Sequence, residues 1–267
     1  MKVLLDQCVL VEGHVVESAT EKKVIQWGDL NVSAVVSGFR KKTHDDHEYQ
    51  EQIDALFTIG RLIRERKVIG FTYDELDFER IRGPGQEPEF NAFSGCTIER
   101  CSSPIERSKF FNTENLAEYV SKGGKNDLKK GAPQTSFSQI AFIDWLLKLS
   151  NSDVDTAVKW AEEIGLTIFE LESFKRIDWF RFICERFGSR ENFPDAFHLW
   201  AAERNRIDVF LTLEKKLPNI VQQIERNKNA SFTICTKVLR PLEFLKFIGV
   251  TELDHVPVKP DRFYTAS

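Results

Sequence analysis

The sequence lacks several features that would assign it to a specialised class of protein. Its 267 residues include no run of eighteen apolar residues, so we expect no transmembrane helix and no membrane partner. The five cysteines are scattered and odd in number, and no signal peptide is recognisable, so we expect reduced thiols and a cytoplasmic location. The formal net charge of −4 gives no global case for nucleic-acid binding, although the total charge does not fix the field beside a cleft.

The remaining composition is that of an ordinary globular protein. Hydrophobic residues make up 42% of the chain and charged residues 29%. A chain of this length can bury a sizeable core in one large domain or in two modest ones. The 22 phenylalanines, set against a single methionine, predict aromatic packing in that core.

Apolar runs and helical patterns alternate along the chain. Short apolar runs predict strands at residues 2–5, 32–36, 68–73, 209–212 and 231–236. The first run also fits a strand that continues to residue 11, and residues 15–25 also fit a helix. Helical patterns occur at residues 49–66, 74–82, 137–149, 154–164, 177–187, 194–205, 217–227 and 241–248. This alternation indicates an α/β fold, an open parallel sheet flanked by helices on both faces.

Residues 82–133 interrupt this alternation and are rich in Gly, Pro, Ser, Asn and charged residues. They contain one predicted helix, at residues 113–120, and a basic tract at residues 122–130 that could follow a nucleic-acid backbone. We therefore expect a core formed by residues 1–81 and 134–267, with the intervening segment as an inserted, loop-rich subdomain.

Four carboxylates lie at element ends that belong on one edge of the predicted sheet. Asp6 and Glu75 each follow a strand, Glu214 lies just beyond the strand at residues 209–212, and Asp195 begins the helix that leads into that strand. We expect them to face one crevice, because the carboxyl ends of parallel strands share an edge. Clustered anions need a cation, and oxygen ligands without an organised Cys/His set favour Mg²⁺ or Mn²⁺. Such an ion can activate a water for attack on a phosphodiester.

The residues around these acids resemble the PIN-domain nuclease family. The matching segments are LLD at residues 4–6, TYDEL at 72–76, DAFHLWAA at 195–202 and FLTLEKKL at 210–217. The resemblance covers roughly residues 1–80 and 150–250. It implies a PIN-like, Rossmann-like three-layer fold and a divalent-metal ribonuclease acting on single-stranded or structured RNA. It also implies that Thr212 orients a carboxylate or a water.

The chain departs from the family's usual pattern in three places. Gln7 and Cys8 follow the first acid, where Ser or Thr and then Asn are usual. Glu214 is one methylene longer than the usual Asp, which keeps the charge and changes its reach. The stretch between Glu75 and Asp195 is much longer than in a minimal member, which is consistent with an insertion.

Two neighbouring features bear on the choice of site residues. Asp74 and Asp77 lie close enough to Glu75 to be confused with it, and Glu75 is preferred for its place in the motif. His198 lies one helical turn after Asp195, so it could approach the site or bind a phosphate, although a structural histidine is favoured.

The sequence therefore predicts a metal-dependent endoribonuclease. Asp6, Glu75, Asp195 and Glu214 would hold Mg²⁺ or Mn²⁺, and Thr212 would complete the catalytic set. Two alternatives stay open, a catalytically weak PIN-like module that binds RNA or a protein, and the toxin of a toxin–antitoxin pair. The expected partners are RNA, a protein partner or antitoxin, and a second copy of the chain in a homo-oligomer.

Overall fold

A computed structural model describes residues 1–80, 90–110, 134–226 and 232–265. The strands are β1 (Lys2–Leu5), β2 (Val16–Trp27), β3 (Leu30–Lys41), β4 (Ile69–Thr72), β5 (Ile98–Arg100), β6 (Val209–Leu211), β7 (Lys237–Leu239) and β8 (Phe263–Thr265). The helices are α1 (Gln7–Glu12), α2 (His47–Asp54), α3 (Leu56–Arg64), α4 (Asp74–Arg80), α5 (Gln134–Lys148), α6 (Asn151–Lys159), α7 (Ala161–Ile164), α8 (Ile168–Phe174), α9 (Ile177–Phe187), α10 (Phe193–Arg204), α11 (Lys216–Arg226) and α12 (Pro241–Phe247). Short 3₁₀ turns occur at Arg107–Lys109 and Arg190–Asn192.

A five-stranded parallel sheet with the order β5-β4-β1-β6-β7 lies at the centre of the fold. β1 is the middle strand, and its Leu4 is aligned with Phe71 of β4 and with Phe210 of β6. Successive side chains of a strand point to opposite faces, so Leu4 joins one buried cluster while Val3 and Leu5 join another. This arrangement confirms the predicted α/β class with a parallel sheet between helices.

The two faces of the sheet are covered by different helices. Helices α5, α9, α10 and α11 contribute to one cluster, and α1, α2, α3 and α12 contribute to the other. The first cluster is strongly aromatic, since Trp200 stacks on Phe180 with ring centroids 4.9 Å apart and Phe197 packs edge-on against both rings. The phenylalanine-rich composition is therefore used to hold α9 and α10 against the sheet.

The chain leaves β1 and β6 toward opposite faces of the sheet. Between β1 and β4 it forms α2 and α3 on one face, and between β6 and β7 it forms α11 on the other. Because β1 and β6 are neighbours, the sheet has a topological switch point between them. A crevice opens at the carboxyl ends of the two strands at such a point, and in open α/β sheets this is where ligands bind.

Residues 16–41 form a hairpin outside the central sheet, which corrects two predictions. The helix considered at residues 15–25 is wrong, since those residues belong mostly to β2. The strand predicted at residues 32–36 is part of β3, but it pairs antiparallel with β2 and β8 in a separate sheet. Gly28 has a φ of 61°, which allows the tight turn between the two strands.

The predicted bounds of the first strand are confirmed, and those of the last predicted strand are wrong. The first strand ends at Leu5, and Asp6 then caps α1 by accepting a hydrogen bond from the Gln7 amide. The predicted strand at residues 231–236 is instead β7, three residues long and shifted to Lys237–Leu239. Residue 231 lies outside the described residues, and Glu203 of α10 binds the amides that would otherwise start the strand.

The predicted insertion, residues 82–133, is described at residues 90–110. Its β5 pairs in parallel with β4 and extends the central sheet at one edge. The predicted helix at residues 113–120 and the basic tract at residues 122–130 lie outside the described residues. Across the described ranges, the structure contains no helix with the length and apolar character needed to span a membrane.

Candidate active site

The centre of the candidate site is a hydrogen bond between the ends of β1 and β6, at the topological switch point. The Thr212 hydroxyl donates to Asp6 Oδ2 at 2.6 Å, and the Asp6 amide donates to the carbonyl of Leu211 at 3.0 Å. Thr212 is fully buried and Asp6 is 7% exposed. The carboxylate is therefore fixed at the mouth of the crevice by groups from both strands.

Cys8 completes the support of the Asp6 carboxylate. The Gln7 amide donates to Oδ1 at 2.7 Å, and the Cys8 thiol donates to Oδ2 at 3.0 Å. Burial, together with the charge of Asp6, raises the pKa of the Cys8 thiol well above its ordinary value, so the thiol keeps its proton and serves as a donor. The amide of Leu213 in turn donates to Cys8 Sγ at 3.3 Å. Cys8 thus orients Asp6 from the position where the resembled family has a small polar residue.

Glu75 is the buried acid of the segment that follows β4. Its side chain is 4% exposed, and Arg107 from the predicted insertion places Nε 3.2 Å from Glu75 Oε1 with only 10% of its own side chain exposed. Asp74 and Asp77 instead form ion pairs with Arg100 of β5, whose side chain is more than half exposed. Of these three acids, Glu75 is therefore the one placed in the interior.

Asp195 and Glu214 lie at the rim of the same edge. Asp195 is partly exposed in the first turn of α10, where a negative charge is favoured by the helix dipole. The Glu214 side chain is exposed, while its amide donates to the Thr212 hydroxyl at 3.1 Å. The contact network thus runs from Asp6 through Thr212 to the backbone of Glu214.

His198 belongs to the core rather than to the crevice. It is 2% exposed, and its Nδ1 lies 2.6 Å from the hydroxyl of Tyr73, which is also buried. Tyr73 lies between β4 and α4, so this hydrogen bond ties α10 to the segment that carries Glu75. The observed packing is that of a structural histidine.

The donor chemistry of the four acids fits Mg²⁺ or Mn²⁺, because carboxylate oxygens are the ligands these ions prefer. Over the described part of the chain, however, no three His, Cys, Asp or Glu side chains are grouped as a metal-holding set. Both oxygens of Asp6 accept hydrogen bonds, and Glu75 is paired with Arg107. Binding of a cation would therefore require these side chains to exchange partners.

Sequence reasoning missed Arg107 and the role of Cys8. Arg107 lies in a segment without helical or strand periodicity, and its partner Glu75 precedes a stretch outside the described residues. No local pattern links the two. Cys8 carried a weak signal, because a thiol directly after a strand-ending acid departs from the family pattern.

The chain has no significant match among protein-family models, curated proteins or solved structures. The resemblance to PIN-domain nucleases therefore rests on the four acidic segments themselves. The switch point between β1 and β6 is an observation independent of that resemblance, since it follows from strand order and from the direction of the connections, and a crevice is expected there.

Proposed function

We propose that the protein is a metal-dependent endoribonuclease whose active site is the crevice at the ends of β1, β4 and β6. The observation that carries this proposal is the buried Asp6–Thr212 hydrogen bond at the switch point of the sheet. It joins the first and the last of the acidic segments, which lie more than two hundred residues apart in the sequence. The resemblance of those segments to nucleases supplies the class of reaction.

Each residue has a distinct part in the proposed reaction. Asp6, Glu75 and Asp195, with Glu214 at the rim, would hold Mg²⁺ or Mn²⁺, which when bound supplies an ionised water for hydrolysis of the phosphodiester. Thr212 orients the Asp6 carboxylate by donating to Oδ2. The Cys8 thiol and the Gln7 amide complete this support, so the carboxylate is held in place before any ligand arrives.

Arg107 has an electrostatic part in the same proposal. A buried carboxylate is unfavourable unless it is paired, and the guanidinium of Arg107 neutralises Glu75. This pairing lets a second acid lie beyond the end of β4, the strand next to β1, without the repulsion that two unpaired carboxylates would experience. The ion pair is therefore compatible with a cluster of acids that assembles before metal binds.

The test is a cleavage assay on mixed RNA and DNA substrates with Mn²⁺, Mg²⁺ or EDTA. We expect Asp6→Asn, Glu75→Gln and Asp195→Asn each to lower metal-stimulated RNA cleavage by about 100-fold or more. Asp74→Asn is the matched control, because Asp74 is next to Glu75 but pairs with the exposed Arg100, so its activity should not change. Thermal unfolding would verify that all variants are folded. Unchanged cleavage by Asp6→Asn and Asp195→Asn would overturn the proposal.

A second candidate function is a catalytically weak module that binds RNA or a protein. The observation that favours it is the ion pair in which Arg107, rather than a metal, neutralises Glu75. Calorimetric titration of the protein with Mn²⁺ separates the two functions. Binding that is lost in Asp6→Asn supports the nuclease, whereas the absence of binding by the unmodified protein supports the binding module.

A further inference from the structure

A second cavity lies at the opposite edge of the central sheet, where the chain enters β6 and β7. Its volume is about 560 Å³, and three arginines line it together with two aromatic residues. These residues are Arg176, Arg204, Arg206, Phe169 and Trp179. We call it the arginine cavity. Because β6 is only three residues long, it separates this cavity from the carboxyl edge by roughly 10 Å.

The three arginines of the arginine cavity lack carboxylate partners. Among the described residues, none of them forms an ion pair, and the Arg204 side chain donates instead to the Ser173 hydroxyl at 2.9 Å. Burial, together with repulsion from Arg176, lowers the pKa of Arg204. By contrast, Lys175 beside the cavity is paired with Glu172 at 2.8 Å. The charge of Glu172 also acts on Arg176 and Arg204, although neither arginine forms an ion pair with it.

The two acids that line the cavity accept hydrogen bonds from backbone amides. Glu203 Oε1 accepts from the amides of Cys235 and Thr236 at 2.7 and 2.5 Å. Asp208 Oδ2 accepts from the Lys2 amide at 2.7 Å. Burial raises the pKa of Glu203, which disfavours its charged form. The three guanidinium groups therefore leave the cavity with an excess of positive charge.

Arg206 has a φ of 53° in the turn that ends α10, where its amide bonds to the Glu203 carbonyl and the Ile207 amide bonds to the Ala202 carbonyl. Glycine is the favoured residue at this left-handed position of a helix terminus. Arg66 has the same conformation, with a φ of 56°, in the turn that ends α3, so this conformation is a property of the helix terminus and is not evidence of binding.

The aromatic residues provide surface for a planar group. The guanidinium of Arg204 lies 5.2 Å from the centroid of the Phe169 ring, so the positive charge and the aromatic surface are adjacent. Trp179 Nε1 is a buried donor without a hydrogen-bond partner among the described residues.

We propose that the arginine cavity binds a nucleotide unit of single-stranded RNA, with the arginines on the phosphate and the aromatic rings against the base. Guanidinium groups match the geometry of phosphate oxygens, and bases of single strands stack on aromatic side chains. The RNA ligand follows from the proposed nuclease function, whereas the binding of an anion follows from the cavity alone. The cavity would hold the substrate strand at a point remote from the acidic crevice.

The test measures binding without cleavage. A fluorescein-labelled single-stranded RNA of mixed sequence is titrated with the full chain in EDTA, and its anisotropy is followed at several salt concentrations. For Arg176→Gln/Arg206→Gln we expect at least a tenfold loss of affinity. We also expect the slope of the logarithm of the binding constant against the logarithm of the salt concentration to become less steep by about 1.4. The variant loses two phosphate contacts, and each contact with single-stranded phosphate contributes about 0.7 to this slope. Lys175→Gln is the matched control, because that lysine is paired, and its affinity should stay within twofold of the unmodified chain.

Two more measurements separate a binding role from a structural one. Arg206→Gly removes the guanidinium but supplies the residue that the left-handed backbone favours, so its Tm should be equal or higher while RNA affinity falls. Inorganic phosphate and a mononucleotide serve as competitors. If phosphate alone competes as strongly as unlabelled RNA, the ligand is a free anion and the RNA proposal is overturned.

The outcomes also separate this proposal from the nuclease proposal. If RNA binding depends on the arginines but the chain shows no metal-stimulated cleavage, the proposed RNA-binding role of the arginine cavity is supported and the nuclease proposal is overturned. If Arg176→Gln/Arg206→Gln cleaves RNA normally and its RNA affinity is unchanged, the nuclease proposal is supported and the proposed RNA-binding role of the arginine cavity is overturned.

Discussion

The two edges of the central sheet differ in the sign of their charged side chains and in how those side chains are paired. At the carboxyl edge, the buried acids Asp6 and Glu75 each have donors from the protein itself, a threonine and a cysteine for one and an arginine for the other. At the amino edge, Arg176 and Arg206 line a cavity without an ion pair among the described residues. The buried acids of the carboxyl edge, which we call the acidic edge, therefore have partners within the protein. The arginines of the amino edge, which we call the basic edge, form no ion pair among the described residues and can bind an anionic partner.

Under the two proposals, this contrast would explain how a protein of net charge −4 holds a polyanion. An acidic crevice repels RNA unless a cation is present, so affinity has to come from elsewhere on the surface. A basic cavity about 10 Å away, across β6, would supply that affinity without adding positive charge to the acidic crevice. The predictions below change one edge at a time.

The largest effect is expected from breaking the ion pair at the acidic edge. Arg107→Gln leaves the buried Glu75 carboxylate without its guanidinium, so we expect a loss of about 3 kcal/mol in the free energy of unfolding. Arg100→Gln is the control, because that arginine pairs with Asp74 and Asp77 at the surface, and it should lose less than about 1 kcal/mol. Urea unfolding in EDTA measures both values.

Unfolding of the same Arg107→Gln variant with Mn²⁺ tests whether Glu75 is a metal ligand. If Glu75 is a metal ligand, Arg107→Gln frees it for the ion, so Mn²⁺ should raise the Tm of this variant more than that of the unmodified protein. Equal Tm shifts in the two proteins would contradict a role for Glu75 in metal binding.

The next effect concerns the hydrogen bond between β1 and β6. Thr212→Val keeps the shape of the side chain but removes the donor to Asp6 and the acceptor of the Glu214 amide, so unfolding should become easier by about 1–3 kcal/mol. Cleavage should fall by about 10- to 100-fold, because Asp6 loses its orientation. Thr212→Ser retains the hydroxyl and should behave as the unmodified protein. Equal cleavage by the two variants would show that Thr212 does not act through its hydroxyl.

Three strands of the central sheet, β1, β4 and β6, were predictable because they are short apolar runs that helices separate, whereas β5 was not predicted and β7 was placed at residues 231–236. Residues 209–211 are buried on both faces and are followed by a clear helical pattern, so both the type and the position of β6 were evident. In the β2–β3 hairpin only residues 32–36 gave such a signal. Side chains such as Val24 and Val35 are 70% and 65% exposed, so the alternation that marks a strand with one buried face is missing.

The candidate site was only partly predictable for a similar reason. Asp6 and Thr212 directly follow strands, Glu75 lies shortly after one, and the edge they share follows from the parallel pairing of those strands. Arg107 reaches Glu75 only through the tertiary fold, and its own surroundings contain no periodic pattern. The arginine cavity likewise combines residues of α8, α9 and the turn after α10, which no local rule brings together.

The smallest expected effect compares two buried glutamates by their pH dependence. Burial raises the pKa of Glu203, although the amides of Cys235 and Thr236 donate to it. The folded state then binds this proton more tightly than the unfolded chain does. The stabilisation is complete below the unfolded pKa of about 4.3 and is lost as pH rises through the folded pKa. Glu203→Gln can still accept from both amides, so its stability relative to the unmodified protein should improve as pH rises.

Glu170 should show the opposite sign. Burial acts to raise its pKa, but hydrogen bonds from Lys109, from Thr167 and from the Glu106 amide outweigh that effect and lower it. Its stabilisation is therefore present above the unfolded pKa and is lost as pH falls through the folded pKa. Glu170→Gln should be less stable than the unmodified protein near neutral pH, and the difference should vanish in acid. Urea unfolding of both variants from about pH 3 to pH 7.5 would give difference curves of opposite slope. If the stability difference changes with pH in the same direction for both variants, the prediction that burial raises the pKa of Glu203 is contradicted.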